Sequence, residues 1–104
     1  MLEKRRRIVW TLAARKDLRG IWQYYARVAS PQIADQMLHE IGETGERLTD
    51  RALMGRARDD VALGLRSILR HPYVIFYRVS NGSVAIVRVL HGRRNLAAVF
   101  KKEP

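Results

Sequence analysis

The chain contains no cysteine, which excludes a disulfide framework and a thiolate zinc site and fits a reducing compartment. Proline and glycine are scarce, three and seven among 104 residues, which argues for a folded globule and against disorder. Acidic side chains are in the minority, ten against twenty Lys and Arg, for a net charge of +10. The histidines His39, His71 and His91 stand far apart with no carboxylate-rich cluster beside them, which argues against a metal site. No apolar run approaches the roughly 20 residues needed to cross a bilayer. Ile8-Val9-Trp10, behind the basic run Lys4 to Arg7, is too short for a signal-peptide core. The expectation is a soluble cytoplasmic protein with no membrane contact and no cofactor.

What is present describes a folded globule. Hydrophobic residues make up 47% of the chain, enough at this length for a modest core in a single domain spanning 1–104. Residues 1–50 carry nine basic and seven acidic side chains, and residues 51–104 carry eleven and three. This asymmetry assigns a positive field to the second half, suited to nucleic acid or an acidic partner. Sixteen of the twenty cations are arginine, which favours planar, bidentate recognition.

The pattern along the chain is local and readable. Arg5 to Trp10 is a short strand, rich in β-branched and aromatic residues. Thr11 supplies an N-cap for a helix through Val28, with Ala14, Leu18, Ile21, Trp22, Tyr25 and Val28 on one apolar stripe and Arg15, Lys16, Asp17 and Arg19 off it. Ser30-Pro31 opens a second helix, serine capping and proline at the first position. Ile33, Ala34, Met37, Leu38, Ile41 and Leu48 form its buried face, with Glu40, Glu43 and Glu46 exposed. Gly42 and Gly45 weaken its middle and allow close packing against the first helix. The short link makes the pair an antiparallel hairpin. A polar connector, Arg51 to Asp60, leads to three strands, Leu63 to Arg70, Tyr73 to Val79 and Val84 to His91, the last two joined through Asn81-Gly82. Asn95 to Phe100 is a final helical turn. The layout is β-α-α-β-β-β, an α+β fold in which a helical hairpin covers a small antiparallel sheet.

Candidate functional residues gather at the end of the last strand. In VAIVRVLHGRRNLAAVF, Val84 to Phe100, the strand delivers His91, Arg93 and Arg94 to one tip, an arrangement for binding an anion. Arg66 and Arg88 lie within strands, where each needs a counter-ion or an open sheet face. Trp10, Trp22, Tyr25 and Phe76 are expected in the core. Asp59-Asp60 is a solvated pair on a connector, and Arg5 to Arg7 a charged edge strand.

These pieces, in this order, resemble the RelE/ParE superfamily of toxins from bacterial type II toxin–antitoxin systems, and its ParE branch in particular. The resemblance rests on Trp10, Ala14, Asp17, Leu18, Ile21 and Tyr24, then Gly55-Arg56, Gly64-Leu65-Arg66, Tyr73-Val74-Ile75-Phe76-Tyr77, and Val87-Arg88-Val89-Leu90-His91-Gly92-Arg93-Arg94. It implies the fold just derived. RelE-like members are ribosome-dependent messenger endoribonucleases, and ParE-like members bind and stall DNA gyrase without catalytic residues of their own. The ribonucleases carry an arginine where this chain has Val74 and a terminal tyrosine where it has Phe100. Valine brings no charge and phenylalanine no hydroxyl, so the resemblance implies a non-catalytic gyrase inhibitor.

As a ribonuclease, the chain would have to rely on His91, Arg94 and Arg66. As a binding protein, its target and partner contacts are Arg66, Arg70, Arg88, His91, Arg93 and Arg94. A plain nucleic-acid-binding module is the remaining alternative. The implied partner is a cognate antitoxin, whose acidic segment folds onto the toxin to form a hetero-oligomer.

Overall fold

The computed structural model describes residues 5–101, so Lys4 of the expected basic run lies outside the described residues. Strand β1 (Arg7–Trp10) leads into helices α1 (Leu12–Val28) and α2 (Pro31–Glu46), a 3-10 turn (Arg47–Thr49), strands β2 (Arg56–Ala57), β3 (Arg66–Arg70), β4 (Tyr73–Ser80) and β5 (Ser83–His91), and helix α3 (Leu96–Lys101). Both expected helix starts carry their caps. Thr11 Oγ1 accepts from the Ala14 N–H at 3.2 Å, and Ser30 Oγ accepts from the Ile33 N–H at 3.2 Å, each satisfying an amide left free at a helix start. The β4–β5 turn places Gly82 at φ +88°, a conformation that costs glycine little.

The five strands form one sheet in the order β1-β5-β4-β3-β2. Its β2–β5 part is antiparallel, as expected, but β1 lies parallel to β5, with Ile8 opposite Val84 and Trp10 opposite Ile86. The sheet is therefore mixed. Parallel neighbours need a long crossover, and the intervening helices and strands provide it. The connector also contributes β2, a two-residue edge strand that polar composition hid.

The helical hairpin covers one face. Ala14, Ile21, Ile41, Leu48, Tyr73, Ile75, Tyr77, Val84, Ile86 and Val89 are buried in the core between them, and Trp10 and Tyr25 pack against it. Gly45 serves close packing, though against Trp10 of β1 and not α1: a Cβ there would stand 2.9 Å from the indole ring. Gly42 faces open space. Three stripe residues leave the core at the hairpin's far end, among them Ile33 of α2, which is 45% exposed. Val28 is 56% exposed, and Trp22 is half-buried, its indole N–H donating to Asp35 on α2 at 2.8 Å.

The other face carries a second cluster. Leu65, Phe76 and Leu90 are buried there beneath Leu96, Val99 and Phe100 of α3. The final helical turn therefore covers the sheet's rear. Among the described residues, no helix is long and apolar enough to cross a membrane.

Candidate functional site

At the end of β5, a compact turn sets the basic tip. The Gly92 N–H donates to Pro72 O at 2.9 Å, the Arg94 N–H donates to His91 O at 3.0 Å, and the Arg93 N–H donates to His91 Nδ1 at 3.1 Å. Because Nδ1 accepts, the neutral ring carries its proton on Nε2. Arg93 and Arg94 are exposed, and no side-chain partner for either occurs among the described residues.

Strand alternation decides what the tip faces. His91 pairs with Tyr73, their rings edge to face at 5.6 Å, and Tyr73 lies in the core beneath the helices. Burial, assisted by Tyr25, raises the Tyr73 hydroxyl pKa well above its usual range. Val74 and Leu90, one residue along each strand, pack on the opposite face with Phe100. His91 and Arg94 instead line a pocket of about 270 Å³ with Lys16, Asp17, Gly20, Tyr24 and Tyr73.

The three expected strand arginines are engaged elsewhere. Arg88 donates through Nε and Nη2 to both oxygens of Asp17, at 2.8 and 2.9 Å, with the two side chains 17% and 13% exposed. Asp17 also accepts from the Val89 N–H at 2.9 Å. That amide lies past Trp10↔Ile86, where β1 stops pairing with β5, so Asp17 takes over the sheet edge. The counter-ion expected for Arg88 is thus internal.

Arg66 is held by the 52–55 loop. Its Nη2 donates to Leu53 O at 3.1 Å and Gly55 O at 2.6 Å, while Nε is buried without a partner. The Tyr77 hydroxyl fastens the same loop, donating to Ala52 O at 2.8 Å and accepting from the Gly55 N–H at 2.9 Å. Arg66 does not line the His91–Arg94 pocket. Arg70 pairs with Glu40 on α2, so Glu40 is not the free surface charge expected.

Sequence reasoning overlooked two features. Lys16, Gly20 and Tyr24 recur every fourth residue, the signal that α1 presents them along one line. On the rear face, Arg56 and Arg58 border a groove of about 360 Å³ with Met54, Leu69 and Val74. Arg58 lies over the Phe76 ring at 5.6 Å and binds Asp60 at 3.1 Å, which lowers the Asp60 pKa from the usual carboxylate value. Asp59 accepts from the Gly64 N–H at 2.8 Å, so neither carboxylate of the expected solvated pair is idle.

Comparison with known proteins places this geometry in a family. The family described as ParE toxin of type II toxin–antitoxin system, parDE, matches residues 8–96. The chain is 31% identical to Toxin ParE3 of Caulobacter vibrioides over 93% of its own length and 97% of that protein's. It is 33% identical to Toxin RelE2 of the same organism, over 84% and 96%. Among solved structures, the chromosomal ParDE system from P. aeruginosa matches with a TM-score of 0.74 at 25% identity, over 86% of this chain and 98% of that one. With the β-α-α-β-β-β frame and the motif residues in place, the chain belongs to the ParE toxin family of type II toxin–antitoxin systems, within the RelE/ParE superfamily.

Proposed function

We propose that this toxin acts by binding DNA gyrase in the cytoplasm and is held inactive by a cognate antitoxin. One observation carries the reading. The helix-facing side of the sheet end holds His91 and Arg94, whereas Val74 and Phe100 pack in an apolar cluster on the other. The positions at which the resemblance implies a ribonuclease's arginine and tyrosine are therefore apolar and turned away from the basic tip. Cleavage needs acid–base groups and charge stabilisation at one phosphate, and this separation favours recognition by the tip over chemistry. His91, Arg93 and Arg94 are the contacts proposed for the target.

The antitoxin reading draws on a different surface. Leu53, Leu63 and Leu69 are 67%, 85% and 64% exposed, and the exposed Arg56 lines one groove with Leu69. An acidic, apolar segment that folds on binding would match both features. The test is gyrase supercoiling with the purified chain, alone and with the protein encoded beside it. Inhibition relieved by that protein, and weakened by Arg94→Ala, is expected. Intact supercoiling together with codon-positioned messenger cuts in arrested cells would replace this reading with the ribonuclease one.

A further inference from the structure

The two halves of the sequence conceal a sharper division of charge. Helix α1 carries four basic side chains, Arg15, Lys16, Arg19 and Arg27, against Asp17 alone, whereas α2 carries four acidic ones and no Lys or Arg. Asp17 is neutralised by Arg88. The positive surface therefore runs from the β5 tip onto α1, in the half of the chain with the smaller net charge. Arg15, Lys16 and Arg19 are exposed, and no side-chain partners for them occur among the described residues.

The pocket of about 270 Å³ lies where these cations meet the tip. One wall is Lys16, Gly20 and Tyr24 of α1, and the other is Tyr73, His91 and Arg94. Gly20 leaves the groove open, since a Cβ there would meet nothing within 4 Å. Lys16 and Arg94 are cations, and the His91 ring, whose Nδ1 accepts from the Arg93 N–H, presents Nε2–H as a donor. No residue of the acidic α2 lines the pocket. At its mouth Tyr24 is 48% exposed, with the Arg27 guanidinium 5.9 Å from its ring centroid.

We propose that this pocket holds a phosphate of a single-stranded nucleic acid, with an adjoining base against Tyr24 and the flanking backbone along the α1 cations. Two observations favour nucleic acid over an acidic peptide. The apolar residues lining the pocket, Ile21, Val89 and Leu90, are buried, so no apolar slot is open to the side chain that anchors a peptide. The cations instead spread over about 18 Å of α1 from Arg15 to Arg27 at the helical rise. Two of them, Lys16 in the pocket and Arg27 at the Tyr24 ring, lie on the side of the helix that carries this aromatic group. Positive charge with a stacking surface is the usual means of holding single strands. The site shares His91 and Arg94 with the proposed gyrase contact, but binding here requires neither gyrase nor antitoxin, so the two readings fail separately.

The test is fluorescence anisotropy of the full chain with labelled oligothymidylate and oligouridylate, against a duplex and polyglutamate. Binding of either single strand is expected, and their ratio reports which sugar the pocket prefers. Loss of one phosphate contact in Arg94→Ala should reduce the slope of log affinity against log salt by about 0.7. Gly20→Leu fills the groove from a position with free space and should weaken binding about tenfold, as should Tyr24→Ala through lost stacking. Arg51→Ala, which removes the same charge from an exposed connector position, should change affinity by less than about twofold. Single-strand binding indifferent to Gly20→Leu, Tyr24→Ala and Arg94→Ala would overturn the proposal. So would polyglutamate or duplex binding as tight as that of the single strands.

Discussion

Removing the Asp17 carboxylate should cost more stability than removing any other single charge at the α1–β5 contact. Three donors converge on it, Arg88 Nε at 2.8 Å, Arg88 Nη2 at 2.9 Å and the Val89 N–H at 2.9 Å. Arg88 is 17% exposed, so water recovers little of the lost interaction. Truncation of one partner in a buried ion pair costs about 3–5 kcal/mol, because the other charge stays buried and unpaired. Asp17→Ala is therefore expected to lose about 4 kcal/mol, and at 4–8 °C per kcal/mol the melting temperature should fall by about 15 °C or more. Asp17→Asn keeps an oxygen for the Val89 amide and should lose less, about 2–3 kcal/mol. Urea unfolding followed by the fluorescence of Trp10 and Trp22 measures both. Arg88→Met provides the cycle: once the cation is gone, losing the carboxylate should cost little, leaving a coupling of about 2 kcal/mol or more. Additivity within about 0.5 kcal/mol would refute the argument that the pair, and not each residue separately, fastens α1 to β5.

The loop at 52–55 offers a second set of tests. Tyr77→Phe strands Ala52 O and the Gly55 N–H and should cost about 1–3 kcal/mol in urea unfolding. Gly55→Ala should be worse than Tyr77→Phe and deplete the soluble fraction on expression, because its Cβ would lie 2.4 Å from the Tyr77 hydroxyl and 2.6 Å from Ser67 O. Phe100→Ala removes the ring set edge-on to Phe76 at 5.0 Å. Since Phe100 is half-buried, the loss should be about 1–2 kcal/mol, read in the same assay. The raised Tyr73 pKa gives a pH test. Its neutral hydroxyl contributes fully below about pH 10, the unfolded value, and the contribution is lost as pH rises above it toward the folded value. Melting temperature should decline on that alkaline side in the wild type, and less so in Tyr73→Phe.

Much of the architecture was legible without coordinates because its causes are short-range. Thr11 and Ser30-Pro31 mark helix starts through groups three residues away, and Asn81-Gly82 marks a hairpin by its own backbone preferences. Periodicity located the core stripes except near the hairpin's far end, where Val28, Ile33 and Trp22 lie partly or largely in solvent. The parallel β1 was not legible, because a strand's own residues do not state which neighbour it will pair with.

The chain alone determined the order of its elements, its excess of positive charge and the motif residues that mark its family. Tertiary structure decided which of those charges remain available. Arg88 finds Asp17 across 71 positions, and Arg70 finds Glu40 across 30. Arg66 is consumed by two loop carbonyls. His91 and Val74 belong to adjacent strands but face opposite layers, and Gly20 opens a groove only because β5 ends beside it. Caps and turns act within a few bonds of the residues that encode them. Ion pairs and pockets depend on distances through space, which exist only once the sheet and hairpin have packed.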